Sequence, residues 1–340
     1  MALLVAALLL LQSVAAAADM SRSEEEMRQM HAEWMAEHGR VYNATGEEER
    51  RFEVFRDNLR DIDQHNAAAD AGVHSFRLGL NRFSDLTNAE FQSTYLGSQT
   101  GSRLTSTRCC RSPSIGGRRG PFLLSGTRAV VVVSILDYSV ALFRSSWAFS
   151  AIGALEGINQ IVTGDMIHLS EQELLDCDTS HNHGCESGKT EYAFDFIIKN
   201  GGIHSAKDYP YRERKNRCDA NKKNTTVVTI DGYEDVPADS EKSLQKAVAN
   251  QPISVEIAAG CPAFQSYKSG ILNKGCSGAI NHGVLIVGLG QENGVRFWII
   301  KNSWGEDWGE RGFFRMVRNS GIFGIAFHAS YPLKTVEKLS

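Results

Sequence analysis

The hydrophobic pattern of this chain changes from helical to strand-like, and that change restricts its fold more than any other feature. The pattern predicts a long apolar helix over 147–162, ended by Gly164, and shorter helices near 170–177 and 192–199. Short β-rich runs separated by Gly, Asn and Pro then follow, at 227–230, 253–257, 284–287, 297–301 and 313–317. Helices followed by strands predict an α+β fold with two packed lobes.

The N-terminal region is predicted to be a separate helical unit over residues 23–91. Ser23 with Glu26 and Thr87 with Glu90 have the spacing of capping boxes, so helices are expected to begin there. A helix between them, over 47–66, carries one apolar face, formed by Phe52, Phe55, Leu59 and Ile62. Residues 97–127 are rich in Gly, Ser, Arg and Thr, which is typical of a protease-sensitive linker.

Length and charge exclude several classes of protein. The 340 residues correspond to about two domains. The 36 basic and 40 acidic residues give a net charge of −4 without a basic block, so we expect neither nucleic acid nor an anionic membrane as a partner. Inside the chain there is no apolar run of the ~18 residues that a membrane-spanning helix needs.

The first 18 residues have the pattern of a secretory signal peptide, an apolar core followed by small residues, and are too short for a membrane anchor. Secretion implies an oxidising compartment, so some of the seven cysteines should be paired. Because seven is odd, at least one thiol is free or pairs between chains. Glycosylation sequons at Asn43 and Asn224 fit the same route.

Three motifs resemble those of papain-like cysteine peptidases: Ser-Ser-Trp-Ala-Phe-Ser at 145–150, Asn-His-Gly at 281–283 and Lys-Asn-Ser-Trp-Gly at 301–305. The upstream region is similar to the inhibitory propeptide of the cathepsin-L-like branch. The residues at its fixed spacings are Glu47, Arg51, Phe55, Asn58, Ile62, Asn66, Gly79, Asn81, Phe83 and Asp85. Residues 145–260 most resemble plant members.

The resemblance implies an order of parts: a signal peptide at 1–18, a helical inhibitory propeptide at 19–100, a linker at 101–127 and a two-lobed peptidase domain at 128–340. It implies peptide or protein substrates, the propeptide as an intramolecular inhibitor, and no cofactor or metal. A monomer in the secretory pathway, bound for the outside of the cell or for the vacuole or lysosome, is expected, with no membrane contact after signal removal.

The resemblance places the active site in the cleft between the lobes. His282 matches the catalytic base and Asn302 the residue that orients it. Ser146 stands where the family has its nucleophilic cysteine, in Phe-Arg-Ser-Ser-Trp instead of Cys-Gly-Ser-Cys-Trp. A hydroxyl is far less acidic than a thiol, whose free pKa is about 8.5. Val140 stands where the family has a glutamine oxyanion donor, and losing one such donor typically costs about 10²–10³ in rate. Impaired catalysis is therefore expected.

The substrate-binding wall is also implied by the resemblance. The positions that it implies are Trp147, Gly188, Lys189, Glu256, Asn281 and Trp304. The main specificity pocket, usually apolar in the family, should be formed by Lys189, Thr190, Glu256, Ile280 and His328. Trp304 and Trp308 match aromatic residues that shield the bond between the asparagine and the histidine.

The cysteines fit the family in part. The resemblance implies a disulfide between Cys177 and Cys218. The family partners of Cys185 and Cys276 fall at Phe143 and Phe323, and Cys261 is an alternative partner for Cys276 that the sequence leaves open. Cys109 and Cys110 match no family position. Zinc binding by Cys177, His181, His183 and Cys185 is disfavoured, because both cysteines match disulfide positions.

Family similarity nearly vanishes between residues 104 and 144 and resumes sharply at Ser145. Three hypotheses for function follow. The chain is an impaired cysteine-type endopeptidase with Ser146 in the nucleophile position, a non-catalytic homologue that binds peptides or a partner, or the product of a frameshifted or wrongly joined gene.

Overall fold

The computed structural model describes residues 22–97, 144–219 and 226–335. It divides into two compact units, one ending at Asn58 and the other beginning at Leu59. The predicted signal peptide, the linker, Val140, Phe143 and the cysteines at 109 and 110 lie outside the described residues.

The first unit is built from helix α1 (Glu24–Glu37) and the beginning of helix α2 (Glu47–Asp70). The Ser23 hydroxyl accepts a hydrogen bond from the Glu26 N–H, so α1 begins where the cap predicts. Met27, Trp34, Phe52 and Phe55 are buried here. Helix α2 runs four residues beyond the predicted end at 66, because Ala67, Ala68 and Ala69 favour the helix and no glycine or proline interrupts it.

The second unit begins with the rest of α2, a short strand β1 (Phe76–Leu78) and helix α3 (Asn88–Tyr95). The reciprocal hydrogen bonds of a capping box join Thr87 and Glu90 at the start of α3. The prediction that 23–91 is helical throughout missed β1. A strand of three residues shows too little alternation to be recognised, and β1 depends on antiparallel pairing with a strand distant in sequence.

The helical lobe is formed by α4 (Ser146–Thr163), α5 (Glu171–Cys177) and α6 (Thr190–Lys199). Helix α4 is apolar on most sides and is buried over most of its length, with Gly164 ending it in the left-handed conformation at φ 82°. Leu155, Leu174 and Phe194 belong to the core of this lobe. Among the described helices, none is both long enough and apolar enough to cross a membrane.

The β lobe contains an eight-stranded sheet in the order β1-β4-β7-β6-β5-β3-β8-β2. The pairing of β4 with β7 is parallel, and the other pairings are antiparallel. The strands other than β1 are β2 (Gly232–Asp235), β3 (Ile253–Ile257), β4 (Tyr267–Leu272), β5 (His282–Glu292), β6 (Val295–Lys301), β7 (Phe313–Val317) and β8 (Ala329–Leu333). Two helices, α7 (Glu241–Val248) and α8 (Pro262–Gln265), complete this lobe. The predicted α+β class is confirmed.

Strand prediction succeeded where apolar residues dominate and failed elsewhere. Strands β3 and β7 have the predicted bounds, and β5 and β6 contain the predicted runs. The run at 227–230 contributes an isolated bridge between Ile203 and Val228 instead of a strand. Strands β2, β4 and β8 were not predicted, because Gly, Asp, Lys, Ser or Pro interrupts the apolar pattern in each.

Two disulfides join described cysteines. Cys177 is bonded to Cys218, the pair that the resemblance implies, so the Cys177 thiol does not serve as a zinc ligand. Cys261 is bonded to Cys276, which resolves the alternative left open by the sequence. Phe323, at the family's partner position for Cys276, is buried with its ring 5.5 Å from that of Phe264. The disulfides fit the oxidising environment of the secretory pathway.

Candidate active site

The three predicted catalytic positions lie at the ends of elements. Ser146 is the first residue of α4, His282 is the first residue of β5, and Asn302 follows the last residue of β6. Antiparallel pairing of β5 with β6, which sets Leu285 opposite Lys301, brings the histidine and the asparagine together. All three residues are buried, at 7%, 2% and 5% exposure respectively.

The His282 ring is oriented by its partner and by a tryptophan. Its Nε2 atom lies 2.8 Å from Oδ1 of Asn302. Because an amide oxygen only accepts, Nε2 carries the hydrogen and Nδ1 presents a lone pair in the neutral ring. Nδ1 is buried, and no atom of the described residues forms a hydrogen bond with it. The Trp304 ring stacks on the imidazole, with 4.6 Å between the ring centroids.

Burial lowers the pKa of His282 to about 4, and the bond to Asn302 opposes this shift only in part. The imidazole is therefore neutral over most of the pH range in which proteins operate. This state suits a base that accepts a proton, whereas a thiolate–imidazolium pair would need the charged ring.

The Ser146 hydroxyl is held by the backbone of the β lobe. The Gly283 N–H donates a hydrogen bond of 3.0 Å to Ser146 Oγ. A Cβ atom at Gly283 would lie 2.9 Å from the Ser146 carbonyl oxygen, so this close approach of two backbones requires glycine. Ser146 also stands at a helix N-terminus, where the first N–H groups have no intrahelical acceptor and favour negative charge.

An open cleft of about 280 Å³ lies beside Ser146 and His282. Of the predicted substrate-binding positions, Trp147, Gly188, Lys189, Glu256 and Asn281 line this cleft, as does Ile280. The Trp147 indole N–H donates to the Gly184 carbonyl. A Cβ atom at Gly188 would lie 2.4 Å from the indole ring, so only glycine fits against it.

Three residues predicted at the cleft are not among the described residues that line it. Trp304 is 1% exposed and packs beneath the His282 ring, because the stacking contact uses its face. Thr190 is buried, with its hydroxyl 2.9 Å from the Ser254 hydroxyl. His328 contacts the lining residue Glu256 through its backbone carbonyl, which accepts a hydrogen bond from the Glu256 N–H.

The predicted propeptide, called the prosegment below, contacts the β lobe close to the site through residues between 76 and 97. The Gly97 N–H donates a 2.7 Å hydrogen bond to the Asn281 carbonyl, and Gly97 lines the cleft. Phe83 and Phe91 meet the Trp304 ring edge-on, with centroids 5.4 and 5.3 Å away. Strand β1 extends the sheet at β4. The end of the prosegment thus lies on the cleft and on the tryptophan that supports the histidine.

Two residues important for this arrangement were missed by the sequence reasoning. The Gln265 amide donates to the carbonyls of Phe83 and Leu86 and accepts from Asn88, so it fixes the prosegment turn. No local pattern singles it out. Arg144 has a φ of 53°, in the left-handed region that favours glycine. The signal for it was present, since the family motif has glycine at that position.

Comparisons with known proteins agree with this geometry. Residues 143–333 match the papain family cysteine protease domain, and residues 31–91 match the cathepsin propeptide inhibitor domain (I29). Cysteine proteinase RD21A from Arabidopsis thaliana is 51% identical over 325 residues, covering 93% of this chain and 68% of the relative.

Solved structures of precursors are similar over most of the chain. The proform of the ragweed pollen allergen Amb a 11, a cysteine protease, gives a TM-score of 0.76 at 33% identity, covering 92% of this chain and 96% of that one. Recombinant stem bromelain precursor gives 0.76 at 35% identity, covering 91% and 99%. The chain carries its own propeptide as an intramolecular inhibitor, and it belongs to the papain family of cysteine proteases.

Proposed function

We propose that this chain is a papain-type proenzyme whose cleft binds peptides and hydrolyses them slowly, with Ser146 as nucleophile, His282 as base and Asn302 as the residue that orients the base. The observation that carries the proposal is His282, whose Nδ1 has no hydrogen-bond partner among the described residues and whose ring is held by Asn302 at the same cleft as a serine at a helix N-terminus.

In the proposed reaction, Ser146 Oγ attacks the scissile carbonyl carbon while its proton passes to His282 Nδ1. The carbonyl π electrons move to oxygen, and the C–N bond then breaks as the imidazolium returns the proton to the leaving amine. An ester on Ser146 remains. Water, deprotonated by the same histidine, attacks the ester carbonyl carbon. The bond between that carbon and Ser146 Oγ breaks as the imidazolium returns the proton to Oγ, which releases the second peptide fragment.

Slow turnover is expected on two grounds. A base whose conjugate acid has a pKa of about 4 is poorly matched to a hydroxyl proton near neutral pH, since general bases work best when their pKa lies near the operating pH. Val140, which belongs to the sequence outside the described residues, supplies no side-chain donor to the oxyanion.

A non-catalytic, peptide-binding role is the second candidate. It is favoured by the lining of the cleft, because Trp147, Gly188 and Asn281 form the wall independently of the nucleophile. The third hypothesis, a frameshifted or wrongly joined gene, concerns residues 104–144. It is tested by sequencing the transcript, since a cDNA that encodes this segment as written ends that hypothesis.

The proposal includes an order of parts and a place of action. The signal peptide would be residues 1–18, the propeptide 19–100, the linker 101–127 and the peptidase domain 128–340. We propose that the protein works as a monomer outside the cell or in the vacuole or lysosome.

Peptide hydrolysis by the natural sequence and by Ser146→Ala, each after removal of the propeptide, tests the proposal. The Ser146 protein should be slow but measurably faster than the alanine variant, and it should not react with a thiol-directed epoxide at the cleft. Equal rates for the two proteins, with peptides still bound, would favour the non-catalytic role.

A further inference from the structure

Glu256 stands out among the residues that line the cleft. It lies on β3, between Val255 and Ile257, which point into the core, and it therefore faces the opposite side of the sheet. Its backbone is in register with Gly283, the residue after His282. Among the described residues that line the cleft, Glu256 is the one carboxylate.

The surroundings of Glu256 destabilise the ionised form of its carboxyl group. Burial and, to a smaller extent, the nearby carboxylate of Glu191 raise the pKa of this carboxyl to about 7, and Lys189 opposes the shift. In the described part of the chain, the carboxylate forms no ion pair, so Lys189 acts on it through space. A partly buried carboxylate that no described cation contacts directly is poised to pair with a cation from a ligand.

We propose that Glu256 determines the specificity of the cleft by selecting peptides with a cationic side chain, arginine or lysine, at the subsite it lines. This inference rests on the proposed function of the cleft in binding peptides. An arginine would donate two hydrogen bonds to the carboxylate, with its positive charge replacing the missing internal partner.

The preference should depend on pH. A bound cation favours the ionised carboxylate, so affinity for the cation should rise as pH increases through about 7, where Glu256 loses its proton. Other charged or titratable groups also face this region. They are Lys189 just before α6, Glu191 and Tyr192 on α6, His282 on β5, and Arg144, His181 and His183 along the cleft. His328, just before β8, contacts Glu256 through its backbone carbonyl.

The test compares two labelled peptides that differ only in having arginine or citrulline, its uncharged isostere. Their dissociation constants are measured by fluorescence anisotropy with the full chain, at about pH 8 and about pH 5.5, on either side of the pKa. Both peptides compete with the same prosegment, so the ratio of their affinities is independent of it. We expect a preference for arginine of about tenfold at the higher pH, falling several-fold at the lower one.

Two variants decide the assignment. Glu256→Gln, which keeps the shape of the side chain, should abolish both the arginine preference and its pH dependence. Glu191→Gln, which removes a neighbouring carboxylate that does not line the cleft, should keep the preference. An unchanged arginine preference in Glu256→Gln overturns the role of Glu256. Equal binding of both peptides to the natural sequence overturns it as well. Either result leaves the proposed binding of peptides intact. No binding of either peptide overturns the proposed function together with this inference.

Discussion

Arg144 is one of the residues whose backbone conformation favours glycine. Its φ of 53° places an L side chain in the left-handed region, which costs about 1–2 kcal/mol relative to glycine. Its guanidinium donates a 3.0 Å hydrogen bond to the Ser93 carbonyl, which offsets part of that cost. The strain lies two residues before Ser146, at the entry to α4.

Two substitutions at position 144 distinguish the effect of backbone strain on stability from the effect of the hydrogen bond to Ser93. Arg144→Gly and Arg144→Ala both lose the bond to Ser93, but only glycine relieves the strained φ. We expect the glycine variant to be more stable than the alanine variant by about 1 kcal/mol in denaturant unfolding. Equal free energies of unfolding for the two variants would show that position 144 stores no strain.

The pKa of His282 gives a prediction about rate. Because burial lowers this pKa to about 4, the base should be neutral and competent at any higher pH. The turnover rate of the Ser146 protein should rise as pH increases through about 4 and stay level above it. In Ser146→Cys, a thiolate would stabilise the imidazolium and raise its pKa, so the rate should fall at alkaline pH as that proton is lost.

This measurement is made in the Glu256→Gln background, so that titration of Glu256 does not contribute to the profile. A loss of rate in the Ser146 protein near neutral pH would show that the reaction needs a charged His282, contrary to this account.

The sequence motifs located the catalytic residues, but they did not predict the burial and protonation state of His282. The motifs identified Ser146, His282 and Asn302 by position, and the structure brings His282 and Asn302 into hydrogen-bond contact and places the hydroxyl of Ser146 on Gly283. The resemblance also implied an aromatic residue beside this pair, and Trp304 stacks on the imidazole. Burial of the imidazole, in contrast, depends on packing between distant segments. No single-sequence pattern reports such packing.

At the scale of elements, the prosegment is attached through aromatic rings. Phe91 on α3 is fully buried, and its ring contacts Phe83 and Trp304. Arg82, next to Phe83 in the chain, forms a bidentate ion pair with Asp307, and both side chains are half-buried. The aromatic cluster therefore couples the prosegment to the residue that supports His282.

A prosegment fragment of residues 20–100 should inhibit an active cathepsin-L-like peptidase. Phe91→Ala should weaken the inhibition by tenfold or more, since truncating a buried phenylalanine costs about 3–5 kcal/mol. Ser93→Ala removes an exposed hydroxyl from the same helix and should leave the inhibition constant unchanged. Full inhibition by a folded Phe91→Ala fragment would remove the aromatic cluster from the account.

Elements with strong local signals were predictable, and the others were not. The caps at Ser23, Thr87 and Ser170 mark the starts of three helices, because each hydroxyl accepts a hydrogen bond from an N–H in the first turn. The four-residue helix α8 and the strand β1 were missed. Each is too short to show a period, and tertiary contacts hold it in place.

At the scale of the whole molecule, one disulfide is the bond that the family resemblance implies and the other takes the place of a missing family bond. The bond between Cys261 and Cys276 spans 15 residues, and that between Cys177 and Cys218 spans 41. Replacing the first pair by serines should cost about 3 kcal/mol, and replacing the second pair roughly 4 kcal/mol, by the loop-entropy relation. Thermal melts of the two double variants measure this order, and an unchanged melting temperature for the first pair would show that its bond contributes nothing.

The central claim is that the residue at position 146 and the lost donor at 140 limit catalysis in an otherwise papain-type site. The most direct test is peptide hydrolysis by the natural sequence, Ser146→Cys, and Ser146→Cys with Val140→Gln. We expect the cysteine variant to be faster by on the order of 10²-fold, the lower end of what a well-poised acid–base pair contributes. Adding glutamine should give roughly 10²-fold more. A natural sequence that hydrolyses peptides as fast as the folded double variant would contradict the account.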